Sequence, residues 1–537
     1  MRRTAFPWRA ASAVAVVAAA TALGSAANTP VDDEQKRWWG HLQVLAADEL
    51  EGRRTGTTGF RTAAEYVATQ FAGAGLEPAG TAGFAQPVRF RQRRILEEKS
   101  SLALVRDGRD EPLRLGPDAT FNVRVDLASS VDAPLVFVGY GLSAPDVGHD
   151  DLAGLDLRGK VAVFLTGSPA AFPGALAAHY QNAGVRWAGL RAAGAIGTVS
   201  LSRTSDLPWE RSSANRLNPA LSLADPRFDE LAGQQLGVTF NPASAERLFA
   251  GSGHTFADLL ALAGERQPLP RFALPAAIRA RVALEVADVE CRNVVARLPG
   301  SDQALAAEHV VLSAHLDHLG IGAEVAGDRI YNGAMDNASG VATLIETARA
   351  LGAATPRPKR SVLFVALTAE ENGLLGSRYF AGNPSIARGA IVANINLDMF
   401  LPLYPMTMVT VLGLEESTLG DTAREVAGRA SLAAHADPQP QRNRFTRSDQ
   451  YSFIKRGVPA LALKVGFKPG SPEAEIDARW TKERYHAPSD DLRQPLDLAA
   501  AVTFTRYVGA LAAETANRPE RPRWKSDSFF RRFATND

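Results

Sequence analysis

The feature that most constrains this chain is a series of short apolar runs that each end on a histidine or a carboxylate. Val310 to Ala314 is followed by His315-Leu316-Asp317-His318, Val362 to Leu367 leads into Glu370-Glu371, and Ile391 to Leu397 stops at Asp398. The runs are brief and rich in β-branched residues, as buried strands are. Helical patterns from Val341 to Leu351 and from Leu374 to Phe380 separate them, and a last helix is expected from about Leu496 to Thr515. Strands alternating with helices predict an α/β fold, a mainly parallel mixed sheet sandwiched by helices. In such sheets the carboxyl ends of the strands border the crevice that receives ligands. One H-x-D after a strand is weak evidence, because a His–Asp pair is often only a hydrogen-bonded pair. Several strand ends of one chemical type, joined by His486 in the RYHAPSDD loop, instead predict a site for a divalent metal such as zinc.

Length and charge limit the alternatives. With 537 residues and 46% hydrophobic content the chain can build more than one core. A formal net charge of +1 provides no global field for nucleic acid or a membrane surface. The start carries Arg2, Arg3 and Arg9, an apolar run from Ala10 to Leu23, and small residues to Ala27. That order reads as a signal peptide over residues 1–27, and the run is short for a membrane span. Cys291 is the single cysteine, so no intrachain disulfide can form and no lipid-attachable cysteine lies near the cleavage region. A soluble periplasmic or secreted protein without a stable membrane anchor is expected.

Between these ends the texture changes twice. From Val131 to Ala283 strand-like runs such as APLVFVGYGL and RGKVAVFLTGSP dominate, without a cluster of metal donors, and the block reads as an inserted β-rich domain. Basic residues gather from Arg518 to Arg532 and read as a solvated tail, 518–537. Arg53-Arg54 reads as readily as a solvated turn as a functional one. Arg442, Arg444 and Arg447 read as a solvated polar loop, with a set of cations for a substrate's C-terminal carboxylate as the alternative.

The motifs HLDHLG, GAMDNASG, AEENGLLGS, NLDM and YHAPSDD, in this order and spacing, resemble those of the co-catalytic di-zinc aminopeptidases of the bacterial leucyl-aminopeptidase type. Their clan includes glutamate carboxypeptidase II, glutaminyl cyclase and the transferrin receptor. The resemblance covers nearly the whole mature chain and implies a zinc-peptidase, phosphorylase/hydrolase-like fold. Residues 28–130 would form the N-terminal part of the peptidase domain, 131–283 a protease-associated domain, and 284–517 the catalytic domain. The resemblance implies two zinc ions per chain, one held by His315 and Asp398, the other by Glu371 and His486, with Asp336 bridging them. It also implies a cis peptide between Asp336 and Asn337, Asp317 as acceptor of the His315 ring N–H, and Glu370 as general base. Tyr485 would stabilise the oxyanion, and His318 would stand behind the ligands.

Some positions depart from the family pattern. Met335 stands where the family usually has an aspartate, Gln450 where many relatives have a histidine, and Phe445 where some have a tyrosine. The expected activity is hydrolysis of N-terminal peptide bonds, through a metal-bridging water, in peptides with a free N-terminus. The alternatives within the clan are a metallo-carboxypeptidase or dipeptidase. A glutaminyl cyclase is disfavoured by His315, and a non-catalytic binding protein by the complete ligand set.

Overall fold

The computed structural model describes residues 31–172, 174–203, 209–387 and 389–534; the signal peptide read over residues 1–27 lies outside them. The large sheet has ten strands. Its labelled members are β1 (Ala85–Ile95), β2 (Ala220–Leu223), β3 (Leu284–Leu298), β4 (His309–His315), β5 (Ser361–Leu367), β6 (Ile391–Leu397), β7 (Met408–Leu412), β8 (Ala433–His435) and β9 (Ala460–Val465). They run in the order β2-β1-β3-β5-β4-β6-β9-β7-β8, and the two-residue strand Glu77–Pro78 pairs with β3.

The sheet is parallel at its centre. β5, β4, β6 and β9 pair in parallel, whereas β3 against β5 and β7 against β9 are antiparallel. The mixed sheet expected from the alternation is therefore parallel where the metal donors sit and turns antiparallel on either side of that centre, with the edge pair of β7 and β8 parallel again. The reason for a parallel centre is visible in β4 and β5, in which every residue is buried. A strand covered on both faces needs an uninterrupted apolar run, and only crossover helices supply that cover.

Those helices are α1 (Val31–Leu45), α2 (Thr58–Gly73), α3 (Ser339–Gly352), α4 (Leu375–Gly382), α5 (Thr418–Arg429), α6 (Pro472–Glu483) and α7 (Leu498–Asn517). Alternate β4 residues serve opposite cores, as a period of two requires. Val310, Leu312 and Ala314 join the core that holds Trp38, Phe71, Leu344, Phe504 and Val508 of α1, α2, α3 and α7. Val311 joins Phe380 of α4 and Phe453 on the other face. The chain passes from β4 to β5 on one side, then crosses to β6 on the other. The carboxyl ends of these strands thus border a switch in direction, where open α/β sheets leave a crevice.

A second sheet of eight strands has its own core, built around Leu104, Phe137, Val163, Val199 and Phe240. It uses Ser101–Arg106, Arg109–Leu113 and Ala119–Phe121 together with strands from Ser130 to Arg281. The chain enters and leaves it along a ribbon in which β1 and β3 pair from Ala85↔Val294 to Ile95↔Leu284. β2, at Ala220–Leu223, returns to the large sheet beside β1.

The basic C-terminal stretch is anchored by two aromatic residues, while Arg521, Arg523, Arg531 and Arg532 stay exposed as a solvated tail's would. Trp524 and Phe530 are buried, and Trp524 Nε1 donates to Gly457 O. Arg521 pairs with Glu308, Lys525 with Asp421, and Arg532 with Asp146 of the second sheet's unit. Reading charge alone missed the aromatic residues between the arginines, which anchor the segment so that Arg521, Lys525 and Arg532 meet acids.

Candidate metal centre

The site is assembled at the carboxyl ends of β4, β5 and β6. β4 ends on His315, whose Nδ1 lies 3.0 Å from the main-chain oxygen of Asp317. A carbonyl can only accept, so Nδ1 carries the proton and Nε2 turns its lone pair into the site. The acceptor is therefore the Asp317 backbone, not its carboxylate as expected. That carboxylate instead accepts the amides of Glu370, at 3.1 Å, and Glu371, at 3.3 Å, and so fixes the turn after β5.

Asp336 lies in a turn over Ala334–Ala338 that opens α3, and its peptide bond to Asn337 is cis. Asp490 holds this turn by accepting the Met335 amide at 2.8 Å and the Asp336 amide at 3.0 Å. Asn337 ties it to the end of β6: its Nδ2 donates to Leu397 O at 2.8 Å and its Oδ1 accepts from Met399 N at 3.3 Å. Gly333, before the turn, has φ +61°, and a Cβ there would stand 2.1 Å from Asp336 O and 2.5 Å from the His318 ring. Only glycine permits that approach.

The two oxygens of Asp336 face different neighbours. His315 Nε2 is 3.3 Å from Asp336 Oδ1 and 3.3 Å from Asp398 Oδ1. On the other side, His486 Nε2 is 3.3 Å from Asp336 Oδ2 and 3.2 Å from Glu371 Oε2. Donors about 2.0–2.1 Å from a tetrahedral zinc stand roughly 3.3 Å from one another. The residues present thus fit two ions that share Asp336. His318 lies closer to Glu371, 2.7 Å from Nδ1 to Oε1, and 4.0 Å from Asp336 Oδ2. Its ligand atom also groups with those of Asp336 and Glu371. The shorter spacing is that of a hydrogen bond that orients Glu371 rather than that of two donors on one ion.

Electrostatics point the same way. Burial opposes charge on His315, yet the carboxylates of Asp336 and Asp398, with Glu370, hold its imidazole well above the ordinary value. Asp336 is buried too, but His315 and His486 keep it well below the carboxylate range. Burial raises Glu371, which His486 and His318 nevertheless draw down to about 2. Burial pushes Asp317 up to about 6. Carboxylates crowded in this way are costly to bury without cations.

Glu370 belongs to neither donor group. Tyr485 stacks on His486 with ring centroids 3.8 Å apart, and its phenol is pushed upward by burial and by Asp336, Glu371 and Glu370, so it stays protonated. Tyr485 and Asp398 face a cavity on whose walls Arg442, Arg444 and Arg447 also lie. The arginine loop read as a solvated face thus lines the space beside the centre. Phe445, between these arginines, packs edge-on against Phe530 of the C-terminal segment.

Arg53 was not recognised in the sequence. It is 1% exposed and has φ +48°. Its guanidinium donates to Leu316 O at 2.9 Å, Asn332 O at 2.6 Å, Gly333 O at 3.0 Å and Leu45 O. It thereby clasps the segments that carry His315 and Asp336. Thr55, two residues on, accepts the Ala369 amide at 3.0 Å and braces the turn that carries Glu370. The one signal available was the Gly-Arg-Arg-Thr-Gly run, which does not say which arginine turns inward.

Residues 293–512 match the model of peptidase family M28. Leupeptin-inactivating enzyme 1 of Streptomyces exfoliatus is 34% identical over 175 residues, 32% of this chain and 36% of that protein. Aminopeptidase YwaD of Bacillus subtilis is 28% identical over 186 residues, 32% of this chain and 37% of that protein. The matched stretch spans little more than a third of either relative. The solved aminopeptidase from Aneurinibacillus sp. strain AM-1 shares the fold, with a TM-score of 0.52 over 91% of this chain and 95% of that one, at 21% identity.

Proposed function

We propose, from the match of residues 293–512 to the model of peptidase family M28, that this chain is an exported zinc-dependent aminopeptidase that hydrolyses the N-terminal bond of peptides. The observation that carries the reading is the division of Asp336, one oxygen toward His315 and Asp398, the other toward His486 and Glu371. Two zinc ions held by these residues would supply Lewis acidity at the scissile carbonyl and a water made acidic enough to attack it near neutral pH. Glu370 takes the proton of the attacking water at its carboxylate and returns it to the leaving amine. Burial pushes the Glu370 carboxyl well above its ordinary value, against the pull of His315 and with Glu371, Asp449 and Asp398 adding to it. A base so adjusted accepts a proton more readily than a solvated carboxylate does. Tyr485 donates its hydroxyl to the developing oxyanion. Export is supported by the basic start and apolar run of residues 1–27. Among the described residues no helix is long and apolar enough to cross a membrane.

The substrate's free α-ammonium is held by Asp398 and Glu370. A matched pair tests this: one dipeptide with a free N-terminus and the same dipeptide N-acetylated. The acetylated form leaves half-buried carboxylates without a partner and is expected to be cleaved at least ~100-fold more slowly. Equal cleavage of both, or cleavage of the acetylated form alone, would overturn the aminopeptidase reading.

Metal content provides a separate check. The purified protein is expected to hold two zinc ions, one between His315 and Asp398 and one between His486 and Glu371, with Asp336 shared, and His315→Ala to lose one of them with most of the activity. A parent that is fully active with a single tightly bound zinc would contradict the shared role of Asp336.

A further inference from the structure

We propose that Gln450 is a positioning residue that fixes one wall of the cavity beside the metal centre and so sets how a substrate is held there. That wall is residues 440–447, whose arginines line the cavity together with Ser448 and Gln450. Behind it runs a chain of buried polar side chains. Asn394 Nδ2 donates to Ser313 Oγ at 2.9 Å, and the Ser313 hydroxyl donates to Asn396 Oδ1 at 2.7 Å. Asn396 Nδ2 donates to Ser448 Oγ and to Gln450 Oε1, both at 3.0 Å. Gln450 Nε2 then donates to Phe445 O at 2.9 Å and to Arg444 O at 3.2 Å. Ser313, Asn394, Asn396 and Gln450 are all fully buried. Ser313 shares the face of β4 that carries Val311, and so stands in the apolar layer of Phe380 and Phe453.

The direction of the chain is set at its loop end. Main-chain oxygens only accept, so Gln450 turns its N–H groups to Arg444 and Phe445 and its oxygen to Asn396. Asn396 uses both of its N–H groups on Gln450 and Ser448, which leaves its oxygen for Ser313. Donors aligned head to tail strengthen one another at low dielectric, and buried amides are costly in an apolar layer unless their bonds are made. Ser313 stands two residues before His315, and Asn396 two before Asp398, so the chain meets both strands one step below the metal donors. The loop's other polar contacts are largely its own. Arg442 N donates to Gln439 O, Asn443 N to Pro440 O and Thr446 N to Asn443 O, and Arg444 pairs with Asp437. Beyond that stretch Phe445 packs on Phe530, and Asn443 abuts Gly174 of the second sheet's unit. Gln450 ties the loop's main chain to the sheet that carries the metal donors.

The effect on substrate rests on the peptidase reading, whereas the hold on the loop does not, so the experiment has two arms. Arg442, Arg444 and Arg447 make the loop its own reporter, because trypsin cuts after each of them once the loop can leave the sheet. Gln450→Met keeps the length of the side chain and removes the donors to Arg444 and Phe445. At a temperature well below the Tm of every variant, cutting at the three arginines, mapped by mass spectrometry, should be roughly tenfold faster than in the parent or more. Gln450→His retains one N–H and one lone pair, is the variant least at risk of misfolding, and should fall between the two. Ser313→Ala weakens the far end of the chain but leaves the bonds to the loop. It should be cut there like the parent, which separates loss of the anchor from loss of stability. In the second arm the Gln450 variants should keep their zinc, and KM for leucyl p-nitroanilide should rise roughly tenfold in Gln450→Met, with kcat within about threefold of the parent and partial recovery in Gln450→His. Loop cutting at the parent's rate in both Gln450 variants, or faster cutting with KM unchanged, overturns the proposal. If the parent cleaves no aminoacyl anilide while its loop is released by Gln450→Met as expected, the peptidase reading fails and the anchor stands.

Discussion

Replacing Glu370 with glutamine is expected to lower kcat by roughly 10²–10⁴-fold, the usual contribution of a general acid–base group, with both zinc ions still bound. The change keeps the volume of the side chain and one hydrogen-bonding oxygen, and removes only the capacity to accept a proton. It leaves the donor groups intact, since neither includes Glu370. The main-chain contact from Glu370 N to the Asp317 carboxylate also survives, so the turn after β5 should hold. The pH profile adds an independent mark. A base must be deprotonated to act, so kcat of the parent should rise with pH on the acid side as Glu370 loses its proton. That limb should disappear in the glutamine variant. Steady-state kinetics and metal analysis on the same preparation decide the matter: turnover within a few-fold of the parent means that another group takes the proton.

What could be read from the sequence, and what could not, follows from the range of the interactions concerned. His315 and Asp398 end buried strands, and an ionisable residue at the end of an unbroken apolar run stands out in one dimension. Bracing by main-chain groups does not stand out. Which oxygen of Asp317 meets His315, the carbonyl or the carboxylate, depends on a local turn that residue types do not specify. Asp490 could be read as part of YHAPSDD, but its grip on the Met335 and Asp336 amides joins segments more than 150 positions apart. Strand direction was open for a similar reason. The residues of β7 are nearly all buried, as in β9, yet β7 runs antiparallel to β9 because its connection reverses the chain. The second sheet's use of Ser101–Arg106 and Ala119–Phe121 likewise depends on distant partners, Phe272–Arg281 and Leu236–Phe240.

Arg53→Met should be the most destabilising single substitution near the centre, costing on the order of 3–5 kcal/mol and weakening zinc binding with it. The argument starts from the acceptors. Main-chain oxygens of Leu45, Leu316, Asn332 and Gly333 all receive this guanidinium. Methionine fills the space of the aliphatic stem but leaves buried carbonyls without donors, each of which costs about 1–3 kcal/mol. Burial lowers the guanidinium to about 10, while Asp490, Asp317, Asp336 and Glu371 oppose that shift. The group is therefore a cation at neutral pH and balances part of the carboxylate cluster before any metal binds. The left-handed backbone at this position, φ +48°, strains arginine and methionine alike, so the comparison isolates the head group. Arg53→Lys retains the charge but cannot span all four acceptors, and should fall between parent and methionine variant. Arg54→Met provides the control. That side chain is half-buried and donates to Pro219 O at 3.0 Å, away from the donor segments, and its loss should cost about 1 kcal/mol. Urea and thermal unfolding, with zinc affinity measured against a competing chelator, read both effects. A methionine variant as stable as the Arg54 control, and binding zinc like the parent, would show that Leu316 and Gly333 are held in place without Arg53.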